Sequence, residues 1–447
     1  MSDSEATGTL VTTPMQTQTA GASGRERRTL ALLLLGALLI RLPLLLTPGF
    51  DVVAYKIWAR VVAQVGIGGA YGASYPPESG SASYHYQPIY LYVLRAVGLL
   101  YGALRPGGDW HDQLLAALLK LGPVLVEVAL GAIVWRILRA RTTPQTALWA
   151  TAAYLITPGL IWNTAYWGGI DAFQALFIIL GLWSASAGTF AASWPLAALA
   201  VGVKLTALPG ALAVAPAGLR RLKPRGIAFA ILATVAVMAL VIAPIVLRGQ
   251  TVAMWRGMFD NLDIYAETSF NNHNLWWLVT RGGGARPDTT VAFLGLDYRQ
   301  IGRALFLIAA LPALIALWRA PNDHPRLFAG SAYLTFAFTT LTTGVHENWG
   351  YTLFAPLLIA AALDARYRRL YAFLAITFLL NLFLEDPPLH RFVADWMAVR
   401  YTIRALRLLN SAVQCGLLLW WGWLLFGSLF ARRRRTTPEL ATATDTL

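Results

Sequence analysis

Asp51 stands in TPGFDVVAYKIWAR, just beyond the first long apolar segment, residues 29–46. A carboxylate with an ordinary pKa of about 3.9 is ionised at neutral pH and can take a proton from a hydroxyl. Three other polar clusters also fall at the ends of apolar segments: WGGID (167–171), NNHNLWW (271–277) and VHENW (345–349). Acidic side chains, His and Asn at a bilayer edge are costly unless they have partners or a task. Brought to one face, these clusters would form an active site at a membrane surface, with Asp51 as general base. The same residue also fits a helix N-cap after Pro48-Gly49.

Each further candidate has two readings. Asp171 either binds substrate hydroxyls or caps the helix it opens. Lys204 sits just ahead of Pro209 in VGVKLTALPG. It offers an ammonium for a phosphate, or it snorkels to the interface. The loop YPPESGSASYHYQP (75–88) brings Tyr, His85 and Gln87 for stacking and hydrogen bonding to a sugar, or it simply caps the helix that follows. In NNHNLWW, the amides of Asn271 and Asn274 pair with hydroxyls or cap a helix. His346 and Glu347 lie between two apolar segments, where a His suits a phosphate or a proton relay. Zinc binding of the HExxH kind is excluded, because the fourth residue after His346 is Gly350. Tyr55, close behind Asp51, joins the substrate-binding or site-organising set. No metal ligand set and no cofactor is expected.

Composition defines the class that must position these residues. The chain has 447 residues, 57% hydrophobic and 13% charged, with mean hydropathy +0.54. Soluble domains carry about 25% charged residues. Apolar runs recur at the length a helix needs to cross a core of about 30 Å. The alternation of a membrane barrel is absent. The expectation is an all-α polytopic membrane protein. The net charge of +14 resides in short loops: RERR (25–28), RILRAR (136–141), RRLKPR (220–225), DARYRR (364–369) and ARRRR (431–435). Such loops orient spans and touch anionic lipid, so no nucleic-acid partner is expected. A single cysteine, Cys415, excludes an intrachain disulfide.

Simple alternation of every apolar segment from an inner RERR would put RILRAR outside. Two changes restore the positive-inside pattern. Residues 88–104, rich in Tyr and containing Arg95, lie on the outer surface. Residues 190–219 split into two short spans that turn near 203–209, since Lys204 and Pro209 disfavour a straight crossing. The expected organisation is a disordered cytoplasmic tail (1–28), a transmembrane domain (29–430) of about twelve helices and a cytoplasmic tail (431–447). A long extracytoplasmic loop (47–113) carries surface helices. Glu127 lies seven residues from Lys120 on one helical face, and buried there it needs a partner. No internal repeat is visible, which argues against an inverted-repeat transporter.

These motifs in this order resemble the GT-C class of membrane glycosyltransferases, over roughly residues 30–365. Similarity is greatest to the dolichyl-phosphate glucosyltransferases of asparagine-linked glycosylation, the GPI second-mannose mannosyltransferase and their bacterial mannosyltransferase relatives. An Asp after the first span, the YPP segment, KLGPVLVEVALGA, WNTAYWGGIDAFQALF, VGVKLTALPG, NNHNLWWLV and VHENWGYTLFAPLL carry the resemblance. It implies a GT-C-like helical bundle using polyprenyl-phosphate sugars. Asp51 would be the catalytic base, with Lys204 and His346 on the donor phosphate and Glu347 and Asp171 organising the site. Asn348 stands where a basic residue is usual, and Gly169 where Gln is common. The expected activity is inverting transfer of a hexose, mannose favoured, to a hydroxyl of a lipid-linked or cell-envelope glycan. The reaction would run on the extracytoplasmic face of a bacterial-type plasma membrane. The rival reading is a transporter or flippase of a lipid-linked sugar.

Overall fold

The computed structural model describes residues 23–49, 51–76, 83–109, 111–259, 265–281, 286–393 and 397–431. Most of both expected tails, 1–22 and 432–447, lies outside the described residues. The first helix, α1 (Gly24–Arg41), begins inside the segment read as a tail, because Ser23 caps it by accepting the Glu26 N–H at 3.2 Å. It tightens to a 3₁₀ turn over Leu42–Leu46, where Pro43 has no amide to continue the ladder. Then come α2 (Val52–Val65), α3 (Ile89–Leu104), α4 (Gln113–Arg139), α5 (Pro144–Leu155) and α6 (Pro158–Ile161). A π-helical turn, Trp162–Trp167, leads to α7 (Asp171–Ser186) and α8 (Phe190–Val203).

Six helices among the described residues are long and apolar enough to cross a membrane: Gly24–Leu46, Gln113–Arg139, Pro224–Leu247, Tyr298–Arg319, Ala365–Leu384 and Val399–Gly427. The chain is an integral, multi-pass membrane protein. The remaining expected crossings fall on shorter helices, such as α7, whose 16 residues extend about 24 Å. The expected break in 190–219 coincides with the end of α8: Lys204 is extended, and short turns over Leu205–Ala207 and Leu208–Ala211 precede the helix Val214–Arg221. Among the described residues an antiparallel hairpin, Val291–Phe293 with Leu296–Asp297, interrupts the helices. Leu294 and Gly295 both have positive φ there, as a tight hairpin turn requires.

Two large apolar cores organise the bundle among the described residues. The larger joins α4, α5 and α7 to the helices His324–Leu341, Phe354–Leu363 and Arg368–Leu384. The smaller is aromatic and ties α2 and α3 to the start of α4 through Tyr55, Trp58, Tyr71, Tyr84 and Tyr90. Helix Pro224–Leu247 leaves Phe229, Leu232, Leu240 and Leu247 exposed, as a lipid-facing helix does.

The partner of Glu127 is Arg41, at 2.6 Å, with both side chains fully buried. Arg41 also donates to the carbonyls of Ala37 and Leu155, and the Thr164 hydroxyl donates to Glu127. Lys120 turns the other way. Its Nζ donates to the carbonyls of Thr47 and Tyr166 and to the Thr47 hydroxyl, each at 2.8 Å. It thereby clamps the segment ahead of Asp51 to the π-helical turn.

Candidate active site

Asp51 is set by two glycine-dependent approaches. Its amide donates to the Trp167 carbonyl at 3.3 Å. Gly49 has φ +72°, and a Cβ there would fall 2.7 Å from Lys120 Cε and 2.9 Å from the Trp167 oxygen. Gly168 has φ +87°, and a Cβ would meet the Val52 side chain at 2.3 Å. Only glycine lets the two turns nest against Lys120 and α2. Although Asp51 occupies the N-cap position of α2, its carboxylate makes no capping bond among the described residues. It accepts instead from Asn348 Nδ2 at 3.3 Å, across 297 residues of sequence.

Asp51 lines a cavity of about 540 Å³ together with His85, Tyr86, Gln87, Lys204, Tyr265, His346 and Asn348. Burial raises its pKa to about 6; Lys204 and His346 pull it down, and Glu347 and Asp171 push it up. Lys204 Nζ lies 3.2 Å from Asp171 Oδ1 and 5.5 Å above the Tyr86 ring. Burial alone would lower its pKa, but Asp171, Tyr86 and Asp51 outweigh that, so it stays above the ordinary lysine value and charged. Asp171 is the first residue of α7 rather than its cap. Its carboxylate also accepts from Asn163 Nδ2 at 3.1 Å and Gln174 Nε2 at 2.7 Å. It lies behind Lys204, aiming the ammonium. Gln87 Oε1 accepts the Leu205 amide at 2.8 Å and secures the turn after Lys204.

His346 is held by its backbone and its ring. Phe270 and Asn271 form β-bridges to it. Tyr265 and Phe270 pack edge-on against the imidazole, each with centroids 4.5 Å away. Nδ1 lies 2.9 Å from Glu347 Oε2, and Glu347 is buried behind it. A carboxylate on Nδ1 fixes the orientation of the ring and leaves Nε2 for a substrate group.

The expected residues separate into groups. Asp51, His85, Lys204 and His346 line the cavity, while Asp171 and Glu347 support it from behind. Tyr55 lies one layer back; its hydroxyl is 3.3 Å from that of Tyr86. His85 packs on Trp58, with Nδ1 on the Ser83 carbonyl, and burial lowers its pKa. Asn271 and Asn274 do not line the cavity. Asn271 adopts φ +65° beside His346. Asn274 caps the helix Leu275–Val279 by accepting the Trp276 amide at 3.0 Å. Sequence reasoning missed Asn163 and Gln174 as supports of Asp171. Gln174 had a readable signal, lying three residues along the same helical face. Tyr265 had none, since a lone Tyr in a loop carries no spacing. Among the described residues no group of three His, Cys, Asp or Glu could hold a metal ion.

A second, apolar groove of about 500 Å³ adjoins the cavity, and Gln87, Leu205, Leu208, Leu212 and Met258 line both. Its far wall is Trp194, Val201, Met238, Ile242 and Trp255. The two together match an amphiphile: an anionic, hydroxylated head at Asp51, Lys204 and His346, and an apolar tail along the groove.

The fold and this cavity define a helical multi-pass membrane protein with a buried carboxylate and lysine where its helices end. No protein-family model matches the chain, and no curated protein matches it significantly. Among solved structures it is similar to that of ArnT from Cupriavidus metallidurans bound to undecaprenyl phosphate. The two are 16% identical with a TM-score of 0.49, and the likeness covers 94% of this chain and 82% of that one.

Proposed function

We infer that the protein is an inverting glycosyltransferase that uses a polyprenyl-phosphate sugar. The observation that carries this reading is the junction of the two cavities: a carboxylate, a charged lysine and a carboxylate-backed histidine meet an apolar groove. In this reading the polyprenyl chain lies in the groove and the donor phosphate sits between Lys204 and His346. The acceptor hydroxyl lies against Asp51. As its oxygen attacks the anomeric carbon, its proton passes to Asp51. The bond from that carbon to the phosphate oxygen breaks, inverting the configuration, and polyprenyl phosphate leaves with the bonding electrons. Lys204 and His346 stabilise the charge that develops on the phosphate. The leaving group carries its own negative charge, which the Lys204 ammonium meets directly.

The motif resemblance favours a hexose, mannose first, and a lipid-linked or cell-envelope glycan as acceptor. The basic-loop pattern favours a site on the extracytoplasmic face with both termini cytoplasmic. The test incubates purified protein with polyprenyl phosphates carrying mannose, glucose, galactose or aminoarabinose and measures release of polyprenyl phosphate. Release by the wild type and not by Asp51→Asn supports the reading. Absence of release from every donor, with and without glycolipid acceptors, sinks it.

A further inference from the structure

Asn348 sets a neutral amide against the candidate base. Asn348 occupies the N-cap position of the 3₁₀ turn Trp349–Leu353, yet its side chain caps no amide there. The residue is 4% exposed and lines the cavity. Nδ2 reaches Asp51 Oδ2 at 3.3 Å, and Oδ1 is buried with no partner among the described residues. Its carbonyl closes the turn by accepting the Tyr351 amide, but among the described residues the one hydrogen bond of its side chain is to the candidate base. A buried amide left half-satisfied is costly, so a purely structural role gives no reason for its presence.

We propose that Asn348 is a positioning residue for Asp51: its Nδ2–H engages one carboxylate oxygen, turns the other toward the acceptor hydroxyl and favours the ionised form. This deepens the glycosyltransferase reading and rests on it for the word base; the contact itself does not. A hydrogen bond to a carboxylate favours its charged form, and a cation in the same place favours it far more. A weaker donor leaves Asp51 the stronger base. The other titratable groups facing Asp51 are Lys204 and His346, which draw its proton affinity down, Glu347 and Asp171, which push it up, and the tyrosines Tyr55, Tyr86, Tyr90 and Tyr265. None lies on the turn that Asn348 opens, and only His346 and Glu347 are its sequence neighbours.

The test reads Asp51 without turnover. A hydrophobic carbodiimide reacts with protonated carboxyls, so the pH midpoint of Asp51 labelling in the detergent-purified full chain, read by peptide mass, reports its proton affinity. Asp51→Asn is the blank. Asn348→Ala removes the donor, and Asn348→Asp, of the same shape, adds a like charge. Both should move the midpoint up, by about one pH unit or more for the added charge. Asn348→Lys should move it down. The charged variants calibrate the direction of the shift, and a merely structural residue would leave the midpoint of Asn348→Ala unmoved. With an active donor, the acid limb of turnover should move with the labelling midpoint, and Asn348→Ala should lose about 10- to 100-fold at neutral pH. A midpoint that stays at the wild-type value in Asn348→Ala overturns the proposal. If the alanine variant does not fold, Asn348→Leu, of similar size and without a donor, decides. Normal midpoint shifts in a protein that releases no polyprenyl phosphate would keep the contact and reject the glycosyltransferase reading.

Discussion

A single carboxylate can be a cap, a structural acceptor or a base, and at Asp51 these separate on one substitution. Asp51→Asn keeps the shape and can still cap α2, but it cannot take a proton. Loss of a general base should lower turnover by about 10²–10⁴-fold. The variant should remain monodisperse in detergent and retain donor binding. Retention of more than about half the wild-type rate removes the assignment, given the expected size of the effect. The pH dependence gives a second check. With a pKa of about 6, raised chiefly by burial, Asp51 is protonated and useless as a base below that value. Turnover should therefore fall about tenfold per unit as pH drops below 6 and level off above it. An acid limb near 4 would mean an ordinary, solvated carboxylate. Lys204 tests the anion site. Lys204→Met keeps length and apolar contact but removes the charge, while Asn163 and Gln174 still hold Asp171. Losing one charge-assisted contact should cost about 1.5–3 kcal/mol in donor affinity, measurable as a raised Kd for polyprenyl phosphate. Unchanged binding would place the phosphate elsewhere.

At the scale of elements, the site depends on two buried cations that do not touch substrate in this reading. Lys120 holds the turn before Asp51 to the π-helical turn through carbonyl oxygens. Arg41 and Glu127 join α1 to α4, and Leu155 adds α5. Removing one member of a buried pair leaves an uncompensated charge, whereas replacing both with apolar groups is far milder. Glu127→Ala should thus destabilise by about 3–5 kcal/mol, and the Arg41→Leu, Glu127→Leu double variant by much less. Thermal unfolding in detergent gives the comparison. A double variant as unstable as the single one would show that the pair's charge does not set the cost. The π-helical turn is a further device at this scale. It ends in Gly168 and Gly169, and its wide loop delivers the Trp167 carbonyl to the Asp51 amide. Such turns occur frequently at functional sites.

The whole molecule has two distinguishable ends. At one, Arg139 pairs with Glu26, Arg141 donates to Ser186 and Arg221 to Asn322, so loops expected to be cytoplasmic meet each other. At the other, Asp51, Trp167 and Asp386 come together, with the Trp167 indole donating to Asp386 at 2.8 Å. This grouping agrees internally with the positive-inside assignment, and labelling decides which end faces out. In a Cys415→Ser background, Asp109→Cys should react with an impermeant thiol reagent from outside intact cells, and Thr189→Cys only after permeabilisation. The reverse pattern would invert the topology, and with it the side on which donor is consumed.

Hydropathy and charge are summed along the chain, so they were legible without coordinates. The helical membrane class, the break at Lys204 and the placement of Asp51 beyond the first span all followed from one-dimensional patterns. Asp51, Lys204 and His346 could be named because each interrupts an apolar run. Partner choice was not legible, because it depends on distances between segments hundreds of residues apart. Glu127 and Lys120 share a helical face by spacing, yet the carboxylate pairs with Arg41 on α1 and the ammonium with carbonyls near Asp51. Asn271 and Asn274 share a motif with His273, yet none of the three lines the cavity. The tertiary structure alone decided that Asn348 meets Asp51, that Asp171 stands behind Lys204, and that an apolar groove opens beside them. Each is a contact between elements, and a contact exists only once packing has selected which faces meet.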